Sequence, residues 1–246
     1  LKRDIPIEFI PRDELHILDD RFISGVITMD FALDTAKIWG QNSNIPMVRI
    51  NIPGSRLDGI SSVYSNEVQG IESAVEHLRS FGHEQIGLII SYVQTRGNEL
   101  RRKTFERLVP DGKIETLKKD YDIYGSMHKL VHSCVTGIIC SGESQAHMAA
   151  AAAVKLGKVP EDFSLICWDS DYLCNWTTPP MTALRQNMEV ITTSAFDILE
   201  AQWTGNPVPP EVVHPYSLIV RESVSFPPPK RRLRQKQDIR SKTAKP

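Results

Sequence analysis

The sequence predicts an α/β fold built on doubly wound parallel sheet. Short runs that are apolar throughout, such as residues 86–90 (Ile-Gly-Leu-Ile-Ile) and 164–168 (Ser-Leu-Ile-Cys-Trp), alternate with amphipathic stretches of helical period. A strand without a polar face is covered on both sides, as in parallel sheet packed between helices. With 246 residues, 41% hydrophobic and 24% charged, the chain can also bury the core such a fold needs, as one large domain or two smaller lobes.

Along the chain, residues 25–29 read as a strand, 33–41 as a helix and 46–50 as a strand. Residues 68–81 carry apolar side chains at 68, 71, 74, 75, 78 and 81. That is a helical stripe, and Gly82 suits the left-handed position that ends a helix. After the 86–90 strand a helix is expected over 97–108, then a polar stretch, then a helix over 126–132. Residues 137–141 read as a strand, 145–156 as an Ala-rich helix stopped at Gly157, and 164–168 as a strand again. Beyond Pro179 and Pro180, a short strand at 182–184 precedes a helix over 188–203 closed by Gly205. Regularity ends after Ser223, where the run Pro227, Pro228, Pro229 stops any element. At the other end Ile5, Ile7 and Phe9 alternate as the residues of a strand would.

The formal net charge of −1 hides an asymmetry. Residues 230–246 hold eight basic side chains and one acid, Asp238, a formal +7 that leaves −8 on residues 1–229. This tail is expected to be disordered. An acidic body lacks the broad cationic face of a DNA-binding domain. No apolar run reaches the length of a transmembrane helix and the first residues are not a signal peptide, so a cytoplasmic location is expected. The four cysteines (Cys134, Cys140, Cys167, Cys174) form no C-x-x-C pair, which indicates neither a disulfide framework nor a zinc site. Cys140 and Cys167 lie in apolar runs and read as packing residues.

Enzyme signatures are absent: there is no phosphate-binding loop, no dinucleotide fingerprint, no nucleophile elbow and no H-E-x-x-H. The chain is expected not to be an enzyme and to use no cofactor. His128 and His132 stand four apart on a helix but have no third metal ligand nearby in sequence, and His83 reads as a local hydrogen-bonding residue. In open α/β sheets ligands collect at the carboxyl ends of strands. Three polar spots fall there: the loop and helix after Ile90, the pair Gly142 and Glu143 after Ser141, and Asp169 directly after Trp168. The Asp169 carboxylate can accept hydrogen bonds from ligand hydroxyls or ring N–H groups, or it can cap the next segment. Arg101, in a cluster with Arg102 and Lys103, is either a ligand contact or part of a solvated face. Trp168 and Trp176 suit the wall of an apolar pocket or the core.

Residues 159–169 (Val-Pro-Glu-Asp-Phe-Ser-Leu-Ile-Cys-Trp-Asp), 178–186 (Thr-Pro-Pro-Met-Thr-Ala-Leu-Arg-Gln) and 218–223 (Leu-Ile-Val-Arg-Glu-Ser) resemble the LacI/GalR-type regulators, the lactose/galactose-repressor family. Gly70, the run Glu76, His77, Leu78, and the pair Gly82, His83 fit the same register, as do residues 24–27 and 45–48. The resemblance spans roughly residues 22–226 in one continuous order.

It implies a periplasmic-binding-protein-like (type I) effector domain, two lobes joined by three crossovers with a small ligand in the cleft between them. The lobes would be 1–91 with 187–214, incomplete at its start, and 92–186 with 215–227, followed by the basic tail from 228. Asp169 falls on the family's ligand-binding aspartate and Arg101 on its arginine. Thr104 and Phe105 replace a Gly-aromatic pair, Gly142 and Glu143 replace Asn-Asp, and Ser170 replaces a frequent second Asp. Glu143 and Trp168 complete the expected ligand-binding set. No helix-turn-helix headpiece is recognisable ahead of Arg21, so the chain reads as an N-terminally truncated regulator that reaches operator DNA through a headpiece absent here. A sugar-like or purine effector, homodimerisation and the absence of membrane contact are the expected partnerships. A stand-alone solute-binding protein of the same architecture is the alternative.

Overall fold

A computed structural model describes residues 5–10, 23–29, 45–53, 60–93, 95–118, 122–169 and 173–229, without the side chains of Glu143, Ser144, Ala146 and Asp169. The chain divides into two compact units, Leu1–Ser65 with Asn187–His214, and Asn66–Gln186 with Pro215–Pro246. The first passage between them therefore falls at 65/66, not at the expected 91/92. Residues 86–90 pair within the second unit's sheet, and the helix before them packs on that sheet.

The first unit holds β1 (Val26–Thr28), β2 (Met47–Ile50), β3 (Ser61–Ser65) and β9 (Glu211–His214), parallel in the order β1-β2-β3-β9. Val48, Ile50 and Val63 pack against Ile191, Ala195, Ile198 and Leu199 of α5 (Met188–Trp203). Strand β3 was not foreseen. It is rich in serine, yet Ser61, Ser62 and Ser65 are buried, and the Ser61 hydroxyl donates to the Pro209 carbonyl at 2.7 Å. Residues 5–10 form no strand; Ile7 and Phe9 are exposed. The expected 33–41 helix and the tail from 230 lie outside the described residues.

In the second unit six strands run in the order β10-β8-β7-β6-β4-β5: β10 (Ser217–Ile219), β8 (Thr182–Arg185), β7 (Ser164–Asp169), β6 (Gly137–Cys140), β4 (Ile86–Ile90) and β5 (Lys113–Thr116). All pairs are parallel except β10 with β8, an antiparallel edge that the all-parallel expectation missed. Alternation explains the continuous apolar runs. Ile89, Ile138, Cys140, Leu165 and Cys167 face one layer with α3 (Ile123–His132) and α4 (Glu143–Leu156). Ile86, Leu88, Ile90, Ile139 and Ile166 face the other, with α1 (Glu67–Ser80) and α2 (Arg96–Leu108). Each such side chain contributes about 1.5–3 kcal/mol by leaving water.

Helix ends follow local chemistry. Asn66, Thr95, Asp122 and Asn187 each accept a backbone N–H three residues on, which caps α1, α2, α3 and α5. Gly82, at φ +86°, closes α1 while the His83 N–H reaches back to the Leu78 carbonyl at 3.1 Å. Helix α4 begins at Gly142 with no side-chain cap.

Candidate functional site

Strands β4, β6 and β7 end on the same side of the second unit's sheet, and the expected polar spots follow them. Arg101 comes from the second turn of α2, the helix after β4. Its Nε and one terminal nitrogen hold Glu67 in a bidentate pair at 2.6 and 3.0 Å, and its other nitrogen donates to the Ser141 carbonyl beyond β6. The guanidinium carbon lies 4.5 Å from the Trp168 ring centre, in cation–π contact. Arg101 is thus no part of a solvated face: its side chain is 14% exposed and that of Glu67 7%.

Glu67 sits in the first turn of α1, where a carboxylate also meets the positive end of the helix. Its Oε1 accepts from the Tyr216 hydroxyl at 3.2 Å, and Tyr216 accepts from Gln186 Nε2 at 3.1 Å. Burial would lower the Arg101 pKa, but the Glu67 carboxylate outweighs it and holds the group above its ordinary value. Burial and the same carboxylate push the Tyr216 phenol upward, so it stays protonated and donates. The formal charges of Arg101 and Glu67 cancel.

Two neighbouring polar atoms are left over. Ser141 Oγ and Gln145 Oε1 are buried and lack a hydrogen-bond partner among the described residues. Both stand at the uncapped start of α4, whose first-turn N–H groups lack intrahelical acceptors. An unmade buried hydrogen bond costs about 1–3 kcal/mol, so these groups are a standing reason to take up a hydroxyl or N–H from a ligand.

Of the sequence-predicted residues, Arg101 and Trp168 are brought together. Asp169 ends β7, its backbone paired with Arg185 of β8, and Glu143 opens α4 beside Gly142; both side chains lie outside the described residues. Trp176 is not a core residue, being 68% exposed. Sequence reasoning missed Glu67, Tyr216 and Gln186. Glu67 reads in sequence as an ordinary first-turn acid, and only its place opposite Arg101 marks it out. His128 and His132 stack with ring centres 3.8 Å apart, and no group of three metal-ligating side chains occurs among the described residues.

The family model for the periplasmic binding protein-like domain matches residues 75–224. The chain belongs to that family. The proteins it is similar to are named as HTH-type transcriptional regulators and, among solved structures, as LacI family regulators. The HTH-type transcriptional repressor PurR of Yersinia enterocolitica is 29% identical over 199 residues, covering 75% of this chain and 58% of that protein. The regulator MalR of Streptomyces coelicolor is 28% identical over 241 residues, 89% of this chain and 70% of that protein. The chain thus spans little more than half the length of the first of these. The fold matches a LacI family regulator from Bifidobacterium animalis at a TM-score of 0.76, with 21% identity, 90% of this chain and 86% of that one covered. It also matches an Enterococcus faecalis LacI family regulator with bound ribose at 0.75, with 20% identity over 88% and 84%. No helix among the described residues is long and apolar enough to cross a membrane.

Proposed function

We propose that this periplasmic-binding-protein-like chain is the effector-sensing and dimerisation region of a LacI/GalR-type regulator, holding a small sugar-like or purine ligand at the carboxyl ends of β4, β6 and β7. The observation that carries this reading is the pre-set Arg101 stacked on Trp168, beside two buried polar atoms that lack partners among the described residues. Asp169 and Arg101 would fix the ligand's polar edge, Trp168 and Glu143 would line the same place, and Ser141 and Gln145 would take its remaining hydroxyls. The ribose bound by the Enterococcus faecalis regulator supports a sugar-like ligand.

The whole protein would bind operator DNA through a headpiece of the helix-turn-helix kind for which its relatives are named. Ligand would favour one conformation and so change operator affinity, and DNA would change ligand affinity by the same factor. Val154 on α4 and Trp176 after β7 are 86% and 68% exposed, apolar surface that a second copy would cover. The test is a thermal-shift panel of ribose, hexoses and purine bases. A ligand at a hundred times its Kd stabilises by about 2.7 kcal/mol, which is readily seen. At least one member should raise the Tm of the wild type and fail to raise that of Arg101→Ala. No shift across the panel, or an equal shift in both proteins, contradicts the reading.

A further inference from the structure

The chain passes between its two compact units at 65/66, 186/187 and 214/215. Residues next to all three passages meet at one side chain of the second unit. Glu67 and Gln69 stand just past the first passage, Gln186 immediately before the second, and Tyr216 just past the third. The Tyr216 hydroxyl donates to Glu67 Oε1 at 3.2 Å and accepts from Gln186 Nε2 at 3.1 Å. Its backbone N–H donates to Gln69 Oε1 at 2.8 Å, and its carbonyl accepts from Gln69 Nε2 at 3.3 Å. The ring is buried, edge-on to Trp168 with centres 5.7 Å apart.

Space for this ring is kept by Gly70. A Cβ there would lie 3.0 Å from Tyr216 Cδ2 and 3.2 Å from Trp168 Cζ2. A phenol suits the position because one hydroxyl supplies a donor and two acceptor sites. Phenylalanine would fill the same volume and make none of the hydroxyl's links. Arg101 joins the cluster through Glu67, and one of its terminal nitrogens lies 3.5 Å from the Tyr216 hydroxyl.

We propose that Tyr216 is a positioning residue that fastens the three passages to one another and to Arg101, so that a change in what Arg101 holds reaches all three together. A group that draws Arg101 away leaves the buried Glu67 carboxylate short of its counter-charge. Its remaining strong donor is then Tyr216, and the Gln186 bond must readjust with it. The regulatory meaning of this linkage rests on the proposed ligand role of Arg101; the linkage itself is a property of the ligand-free chain.

The test is therefore amide hydrogen exchange on the full chain without ligand, comparing wild type, Tyr216→Phe and Arg101→Lys. Losing the links should speed exchange about tenfold in peptides covering 66–72, 183–191 and 214–219 together, in both variants, as expected for one or two buried hydrogen bonds. Peptides covering β4 and β6 should keep their wild-type rates. If Tyr216→Phe changes only 214–219, the ring merely packs and the proposal is overturned. If that variant loosens β4 and β6 as well, Glu67→Gln, which keeps the volume, decides the matter: a joint response of the three segments sustains the linkage, and a response confined to 66–72 overturns it. Failure of the ligand panel would leave these outcomes untouched, so the two readings fail separately.

Discussion

Two buried polar clusters, one at each end of the six-stranded sheet, are built in opposite ways. At the amino ends of β6 and β7, His83 is 1% exposed and every partner is neutral. Its Nδ1 lies 2.9 Å from the Thr136 hydroxyl, and its Nε2 lies 2.9 Å from the Ser225 carbonyl and 3.0 Å from the Ser164 hydroxyl. A carbonyl only accepts, so Nε2 carries the proton and Nδ1 accepts from Thr136. The set is closed, and it ties the segment after Ser223 to the start of β7. At the carboxyl ends stand a charged pair, a phenol and two polar atoms with no partner among the described residues. The closed end is spent on folding. The open end keeps hydrogen-bonding capacity in hand, which is what a site for an exchangeable ligand requires.

The contrast breaks most visibly at Glu67. Glu67→Ala strands a buried guanidinium and should cost about 3–5 kcal/mol by chemical denaturation. A loss no greater than that of an exposed pair would mean that water, not Glu67, satisfies Arg101.

At the other end the expected effect is smaller and depends on pH. Burial depresses His83 below its ordinary 6.5, with the Ser225 carbonyl bond partly opposing the shift. The unfolded chain then takes up a proton near 6.5 while the folded chain resists. Stability is therefore level above that pH and falls as pH drops from 6.5 towards the folded-state value, by about 1.4 kcal/mol for each unit of depression. His77, also depressed by burial, adds in the same direction, so the His83 share is the difference between wild type and His83→Gln. Identical pH profiles would contradict the neutral, closed cluster.

Gly70→Ala probes the packing between α1 and the open end. The added methyl presses on Tyr216 and Trp168 and should cost about 1–3 kcal/mol as overpacking. Smallest of all is Lys103→Ala. Lys103 and Glu99 are 66% and 42% exposed, and although hydrogen bonds from Lys103 and Arg96 hold Glu99 down at about 2, the Tm should not move measurably. A clear drop would show that the charged outer face of α2 contributes as much as its buried Arg101.

Which parts were legible in sequence follows the same physics. Strands buried on both faces announce themselves as apolar runs, and helices as periodic stripes, several of them closed by a glycine, so β4, β6, β7 and the helices α1 to α5 stood out. The strands that did not are β3, whose buried Ser61 hydroxyl finds its acceptor in the distant Pro209 carbonyl, and the edge strands β5, β9 and β10, which carry no continuous apolar face. The antiparallel pairing of β10 depends on the return of the chain at 214/215, which no local pattern encodes. Arg101 and Trp168 were visible because a family register and a strand end pointed to them. Glu67, Gln186 and Tyr216 come from three segments up to 149 residues apart and meet only in the folded unit.

Effector binding at the open end is tested most directly at Asp169, the last residue of β7. With whichever sugar or purine the panel identifies, titration calorimetry on wild type and Asp169→Asn should show affinity lowered by about 1.5–3 kcal/mol, roughly 10- to 150-fold, with the Tm of the free protein unchanged. Equal affinities for the two proteins, or a lowered Tm with affinity intact, would contradict the account and leave Asp169 as a cap for the segment that follows β7.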